Sequence, residues 1–303
     1  MRILILGAGY AGLRAALDLG HARRQGHLPS GTRVDLVEQS DCHRVIFWMH
    51  QVAAGTIAAD DACIDYEHLP LAEVGLHQAT VQAILPHDNR VATDIGDLPY
   101  DILVLALGST VAMPAIPGLA ENANTLRDRA GAETLHRRLA GALAAAGRAD
   151  DEAEQRRHAT VAVAGGGFTG CQLAGELSQR LPELADRHGV PVRHVRLVLL
   201  ESQDRLLPAM PPHHGRAARQ ILERKGVEVW TQAALERVNE TTLVAAGNGL
   251  PYGTLAWTGG IRAPVVIAES GLGEPPDDRI RVDRHLRAYR DAAVRAAGDC
   301  IRR

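Results

Sequence analysis

Aromatic side chains are scarce, at 3% of 303 residues, with only two phenylalanines. Any sizeable core must therefore be aliphatic and alanine-rich. Cysteine is sparse as well. Cys42, Cys63, Cys171 and Cys300 are scattered, without a C-x-x-C pair or a metal-like cluster, so no metal site is expected and a reducing, cytoplasmic location is the default. No apolar run approaches the ~20 residues of a membrane-spanning helix. The apolar N-terminal stretch lacks a cationic flank and a cleavage site, so it reads as a strand and not as a signal peptide. Neither sign of charge dominates: 33 Lys and Arg against 36 Asp and Glu leave a net charge of -3. This balance gives nothing that favours a polyanionic partner, and no nucleic-acid role is expected. What the chain does have is 46% hydrophobic residues, 30 glycines and length for about two domains.

The organising stretch is Arg2-Ile3-Leu4-Ile5-Leu6-Gly7-Ala8-Gly9-Tyr10-Ala11-Gly12. It reads as a buried strand, a Gly-x-Gly-x-x-Gly turn and the start of a helix. Gly7 permits the tight turn, Gly9 lets a pyrophosphate approach the backbone, and Gly12 lets helix and strand pack closely. The helix N-terminus offers N–H groups and the positive end of its dipole to phosphates. The next strand, Val34-Asp35-Leu36-Val37-Glu38, ends in an acid 26 residues past Gly12, suited to ribose hydroxyls, with Gln39 beside it. The pattern then returns. Thr160-Val161-Ala162-Val163-Ala164 runs into Gly165-Gly166-Gly167-Phe168-Thr169-Gly170, and Glu201 closes the following strand 31 residues past Gly170. Two such units imply two dinucleotides. Glu201 favours the free 2′-hydroxyl of NADH over a 2′-phosphate, with Arg205 nearby as a counterweight.

Between and after these units lie further signals. Residues 42–55 form an unusually apolar segment holding Phe47, Trp48 and Met49, which either lines a cofactor or substrate pocket or packs between domains. Residues 79–85 and 89–93 form a hairpin-like pair. Residues 100–109 read as a buried strand that passes through Ala106 and ends at Gly108. Residues 121–157 read as helix, with Leu135, Leu139 and Leu143 at fours, and a helical arm is expected at 181–188. A second strand stops at Gly259, and Gly298-Asp299 lies near the end. Gln172 and Glu176 share one face of the helix after the second turn. Among the cysteines, Cys42 draws attention as a redox residue but has no partner close in sequence. Cys171 reads as packing, and Cys63 and Cys300 carry no signal. His43 and His50 flank the apolar segment and could meet a substrate or the cofactor edge, with surface or packing roles favoured.

Five features agree in order and spacing: Gly7–Gly12 with Glu38, Leu105–Ser109, Gly165–Gly170 with Glu201, Trp257–Gly260, and Ala297-Gly298-Asp299. Together they resemble the two-dinucleotide-binding-domain flavoproteins over nearly the whole chain. The resemblance implies an α/β fold of two Rossmann-like domains, with an NADH domain (119–263) inserted into a discontinuous FAD domain (1–118 plus 264–303). It implies that the first turn and Glu38 bind the ADP half of FAD, that Asp299 meets its ribityl–phosphate part, and that the second turn and Glu201 bind NADH. Residues 42–55, Leu173-Ala174-Gly175-Glu176-Leu177 and Trp257-Thr258-Gly259-Gly260 are most similar to type II NADH:quinone oxidoreductases. That implies electron transfer from NADH to a quinone-like acceptor, with Gln172 and Glu176 as candidate catalytic residues; the alternatives are an NAD(P)H-dependent flavin reductase for another acceptor (a small redox protein, a disulfide, oxygen or a biosynthetic intermediate) and a regulatory protein that holds FAD and NADH without turnover. The family has glutamate where this chain has Gln172, and Phe-Gln-Pro-Leu-Leu-Tyr where it has Val45-Ile46-Phe47-Trp48-Met49-His50. Membrane contact, on the inner face, is expected only through a tail beyond Arg303, and a homodimer is compatible with the resemblance.

Overall fold

The computed structural model describes residues 1–302, which fall into two compact units. The first comprises Met1–Arg44, Cys63–Thr110 and the residues from Ile261 onward. Its centre is β1 (Arg2–Leu6), whose Ile3-Leu4-Ile5-Leu6 run is buried throughout. A strand apolar on both faces belongs inside a parallel sheet covered on both sides. Helix α1 (Tyr10–Arg24) follows, then β2 (Arg33–Glu38), β3 (Cys42–Arg44), β4 (Cys63–Asp65), β5 (Gly75–Gln78) and β6 (Ile102–Leu105). The main sheet is parallel, in the order Val294–Ala296, β6, β1, β2, β5. Strand order therefore reverses between β1 and β6, and the carboxyl ends at such a switch point are where doubly wound sheets bind ligands. The expected hairpin is present as Val81–Leu85 with Arg90–Thr93, extended by Gly96–Pro99 into three antiparallel strands. β3 and β4 form a separate short antiparallel pair, crossed by a disulfide between Cys42 and Cys63 with Cα atoms 5.8 Å apart. Cys42 thus does have a partner, 21 residues away in sequence.

The second unit comprises Val45–Ala62 and Val111–Gly260. It contains α2 (Met49–Ala54), α3 (Arg129–Arg148), β7 (Thr160–Ala164), α4 (Phe168–Arg187), β8 (Arg196–Leu200), α5 (Pro212–Arg224), β9 (Val227–Trp230) and β10 (Thr254–Trp257). Its parallel sheet runs β9, β8, β7, β10, so the order reverses between β7 and β10 as it does in the first unit. Leu135, Leu139 and Leu143 on α3 and Leu173, Leu177 and Leu181 on α4 are almost completely buried in one aliphatic core. Each such leucine contributes about 1.5–3 kcal/mol of burial free energy. Met49, Val52, Ala53 and Ala54 of α2 join this core. Residues 45–55 of the apolar segment therefore lie in the second unit, where α2 is part of the core. Phe47 and Trp48 just before α2 stay exposed.

The long helix expected over 121–157 is three helices: Leu119–Asn122, α3, and Glu152–His158. Two N-caps explain the breaks. Asp128 accepts from the Gly131 N–H and Asp151 from the Ala153 N–H, and an aspartate in that role starts a new helix. The separate arm at 181–188 is absent, because α4 continues through Pro182 to Arg187. No helix among the described residues is long and apolar enough to cross a membrane.

Candidate functional site

In the first unit the glycine turn joins β1 to α1 beside the end of β6. Gly7 has φ +92°, where a side chain is strained, and a methyl there would press on the Ala106 carbonyl. A methyl at Gly12 would meet the Gly7 carbonyl and lie 3.0 Å from Ala106 Cβ. Both glycines are thus required by packing, and Ala106 is the small residue they pack on. Gly9 differs: a methyl there would meet no protein atom within 4 Å. No contact within the protein explains its lack of a side chain, whereas a ligand seated on the turn does. No side chain caps α1 at Gly9 and no acid sits in its first turn. Such an end, with first-turn amides and dipole uncompensated, suits an anion.

Glu38 reaches back to this turn. Its Oε2 accepts from the Ala8 N–H at 2.7 Å, and its Oε1 from the Ser40 N–H at 3.0 Å. Arg44 lies 3.8 Å away. A carboxylate has about four acceptor positions, so roughly half of Glu38 remains available for hydroxyl groups. Tyr10 and Gln39 are exposed, and Ala11 is half-buried. Gly108 and Gly298 both have positive φ, and a methyl on Gly298 would sit 3.5 Å from Ala11 Cβ. Asp299 beside it accepts from Ser109 Oγ at 3.0 Å. The structure therefore gathers Gly7, Gly9, Gly12, Glu38, Ala106 and Gly298 around the start of α1, with Gly108 and Asp299 on the adjoining strand ends. His43, set aside as packing in the sequence, belongs here too. It is buried, with its Nδ1 2.8 Å from the Ala8 carbonyl and Tyr10 edge-on to its ring. The sequence signal for it was its place beside the apolar segment, shortly after the acid-bearing strand.

The second unit repeats the construction. Gly165 has φ +117°, and a methyl there would lie 2.8 Å from the Gly259 nitrogen. One at Gly170 would meet the Gly165 carbonyl and lie 2.8 Å from Thr258 Oγ1. One at Gly167 would meet nothing within 4 Å. Glu201 is 6% exposed, its Oε2 accepting from the Gly166 N–H at 2.7 Å and its Oε1 from the Gln203 N–H and the Ser202 hydroxyl. Phe168 and Thr169 are exposed at the start of α4, which again has no side-chain cap and no acid in its first turn. Gly259 is small for a local reason: the Trp257 indole occupies the space a side chain would take, held by a 2.9 Å bond from its Nε1 to the Ala112 carbonyl.

On α4, Gln172 is exposed, whereas Glu176 is engaged. Glu176 Oε1 accepts from the Thr56 hydroxyl at 2.5 Å, tying α4 to the turn after α2. Burial pushes the His50 pKa down, partly offset by the negative charge of Glu176. Burial pushes the Cys171 thiol up to about 12, with Glu201 adding to the rise, so Cys171 is not a nucleophile near neutral pH.

Two doubly wound sheets in one chain, each with a glycine turn, a clasping acid and open space at the middle glycine, define a two-dinucleotide-domain oxidoreductase. The chain matches the model of the pyridine nucleotide-disulphide oxidoreductases over residues 1–303, and it belongs to that family. It is 31% identical to the type II NADH:quinone oxidoreductase of Staphylococcus epidermidis, over 99% of this chain and 74% of that protein. Its fold is similar to that of NDH2 from Plasmodium falciparum, solved with NADH, at a TM-score of 0.86 and 19% identity over 99% of this chain. The chain spans 64% of that NDH2 chain. An NAD-dependent persulfide reductase from A. fulgidus shares the fold at a TM-score of 0.77, with 22% identity over 99% of this chain and 53% of that one.

Proposed function

We propose that this chain is an FAD-dependent oxidoreductase that takes hydride from NADH and passes electrons to a quinone-like acceptor. The observation that carries the reading is the duplicated clasp: an acid at or just past the end of the second strand of each parallel sheet pair, hydrogen-bonded to the second residue of its glycine turn. The names of the staphylococcal relatives support NADH as donor and a quinone as acceptor. The first turn fits FAD. Gly9 leaves room for a pyrophosphate, the start of α1 suits its charge, Glu38 retains acceptor positions for a ribose, and Asp299 lies on the neighbouring strand end. The second turn fits NADH. Glu201 already accepts three hydrogen bonds, so its side chain is held in place, where an acid disfavours a 2′-phosphate. When bound, FAD supplies the electron-transfer chemistry. The protein orients the two nucleotides and fixes their charge environment. In this reading Gln172 and Glu176 line the face of α4 that follows the NADH turn, with Gln172 nearer to the turn in sequence and free of the tie that holds Glu176.

A panel of acceptors tests the proposal. With NADH as donor, short-chain quinones should be reduced at least tenfold faster than disulfides, persulfides or oxygen. Equal or faster turnover of a disulfide or persulfide would replace the quinone assignment.

A further inference from the structure

Each glycine turn is held at its second residue from two sides. At Ala8 the N–H donates to Glu38 Oε2 at 2.7 Å, and the carbonyl lies 2.8 Å from His43 Nδ1. A carbonyl only accepts, so Nδ1 carries the ring hydrogen. At Gly166 the N–H donates to Glu201 Oε2 at 2.7 Å, and the carbonyl accepts from the backbone N–H of Leu207 at 2.8 Å. The Cys171 thiol adds a weaker bond to the same carbonyl at 3.4 Å. The two turns thus receive the same pair of restraints. One second restraint comes from main chain, and the other comes from a histidine.

The second restraint acts on the peptide that carries the Gly9 N–H. The Ala8 carbonyl and the Gly9 N–H belong to one trans peptide and point in opposite directions. Holding that carbonyl on His43 aims the Gly9 N–H away from His43. Gly9 gives this peptide little steric resistance to rotation, and a rotated peptide would turn carbonyl lone pairs toward any bound pyrophosphate. His43 is itself immobilised. It is 5% exposed, it sits on β3 opposite Ile64 of β4, the Cys42–Cys63 disulfide crosses that pair, and Tyr10 packs edge-on to its ring at 5.1 Å.

We infer that His43 is a positioning residue of the first dinucleotide site, setting the direction of the Gly9 N–H through the Ala8 carbonyl. The inference rests on the reading of the first turn as the FAD site. It predicts that the hydrogen-bond donor at Nδ1 matters, beyond the bulk of the ring. Asparagine carries an N–H₂ donor at the matching position on Cγ, whereas leucine fills similar space with no donor.

The test is FAD binding to apoprotein, read by quenching of flavin fluorescence, with NADH affinity of the same samples as the check on folding. His43→Leu should bind FAD about tenfold more weakly, the scale of one lost directing hydrogen bond. His43→Asn should return to within about threefold of the parent chain by the same reasoning, and NADH affinity should be unchanged in both. His43→Ala provides a second donor-less variant that cannot clash should leucine disturb folding. Parent-like FAD affinity in His43→Leu and His43→Ala would overturn the inference, as would equal weakening of the leucine and asparagine variants. A parent chain that fails to bind FAD at all would overturn the reading of the first turn and this inference with it. Loss confined to the donor-less variants supports both.

Discussion

Gly9 and Gly12 offer a matched pair of substitutions with opposite outcomes. At Gly12 the added methyl meets the Gly7 carbonyl and Ala106 Cβ, both fixed by the sheet. Overpacking of this kind costs about 1–3 kcal/mol, and the upper end applies because main chain has to move. For a domain of this size that lowers the melting midpoint by roughly 4–9 °C. At Gly9 the backbone has φ −66° and ψ −174°, open to any residue, and the methyl meets nothing within 4 Å. A weaker helix N-cap costs a few tenths of a kcal/mol up to about 1, and the stiffer unfolded chain returns about 0.4–1 kcal/mol. Gly9→Ala should therefore melt within about 2 °C of the parent. Its methyl stands where a pyrophosphate would rest, so FAD affinity should fall by about 10- to 100-fold. Differential scanning fluorimetry of the apoproteins and flavin-fluorescence titration separate the two effects. If Gly9→Ala melts as low as Gly12→Ala, or binds FAD like the parent, the assignment of Gly9 to ligand approach is wrong.

Three further outcomes follow from the same geometry. Glu201→Gln exchanges an acceptor oxygen for a donor next to the Gly166 N–H, so NADH should bind about tenfold more weakly while discrimination against NADPH shrinks; unchanged discrimination by isothermal titration would remove Glu201 from specificity. The Cys42–Cys63 link closes a loop with a sequence separation of 21. By loop entropy it stabilises by about 3 kcal/mol. Cys63→Ser should lose that in urea titration, and mass spectrometry of unreduced protein should find only Cys171 and Cys300 as free thiols; four free thiols would refute the bond. Burial lowers the His50 pKa. The unfolded chain then binds the proton more readily, so the contribution is complete above the ordinary histidine pKa and is lost as pH falls below it. His50→Gln should flatten the decline of the melting midpoint between about pH 7 and 5, and an unaltered decline would show that another group sets it.

What was legible in the sequence is what local pattern encodes. A strand of Ile and Leu entering Gly-x-Gly-x-x-Gly dictates turn, helix and the acid's approach, since Glu38 and Glu201 end strands adjacent to β1 and β7. Strand ends at Gly108 and Gly259 were visible for the same reason. The pairing of Cys42 with Cys63 was not, because it depends on β3 meeting β4 after a 45–62 excursion. Apolar content marked α2 as a packed segment, yet nothing local says whose core it enters; Val52 and Ala53 complete the surface of α3 and α4 only in three dimensions. His43 was hidden because its partner is a backbone carbonyl 35 residues away. The breaks at Asp128 and Asp151 were readable as caps, but the run of leucines on α3 obscured them.

The central claim, that two dinucleotides sit in this chain and exchange electrons, has a direct test. Purified protein loaded with FAD is titrated anaerobically with NADH while the flavin absorbance band is followed. The account predicts a yellow protein that bleaches at about one equivalent of NADH, and a Gly167→Ala protein that stays yellow at the same dose. A yellow parent chain that NADH fails to bleach, or one that does not retain FAD, would contradict it.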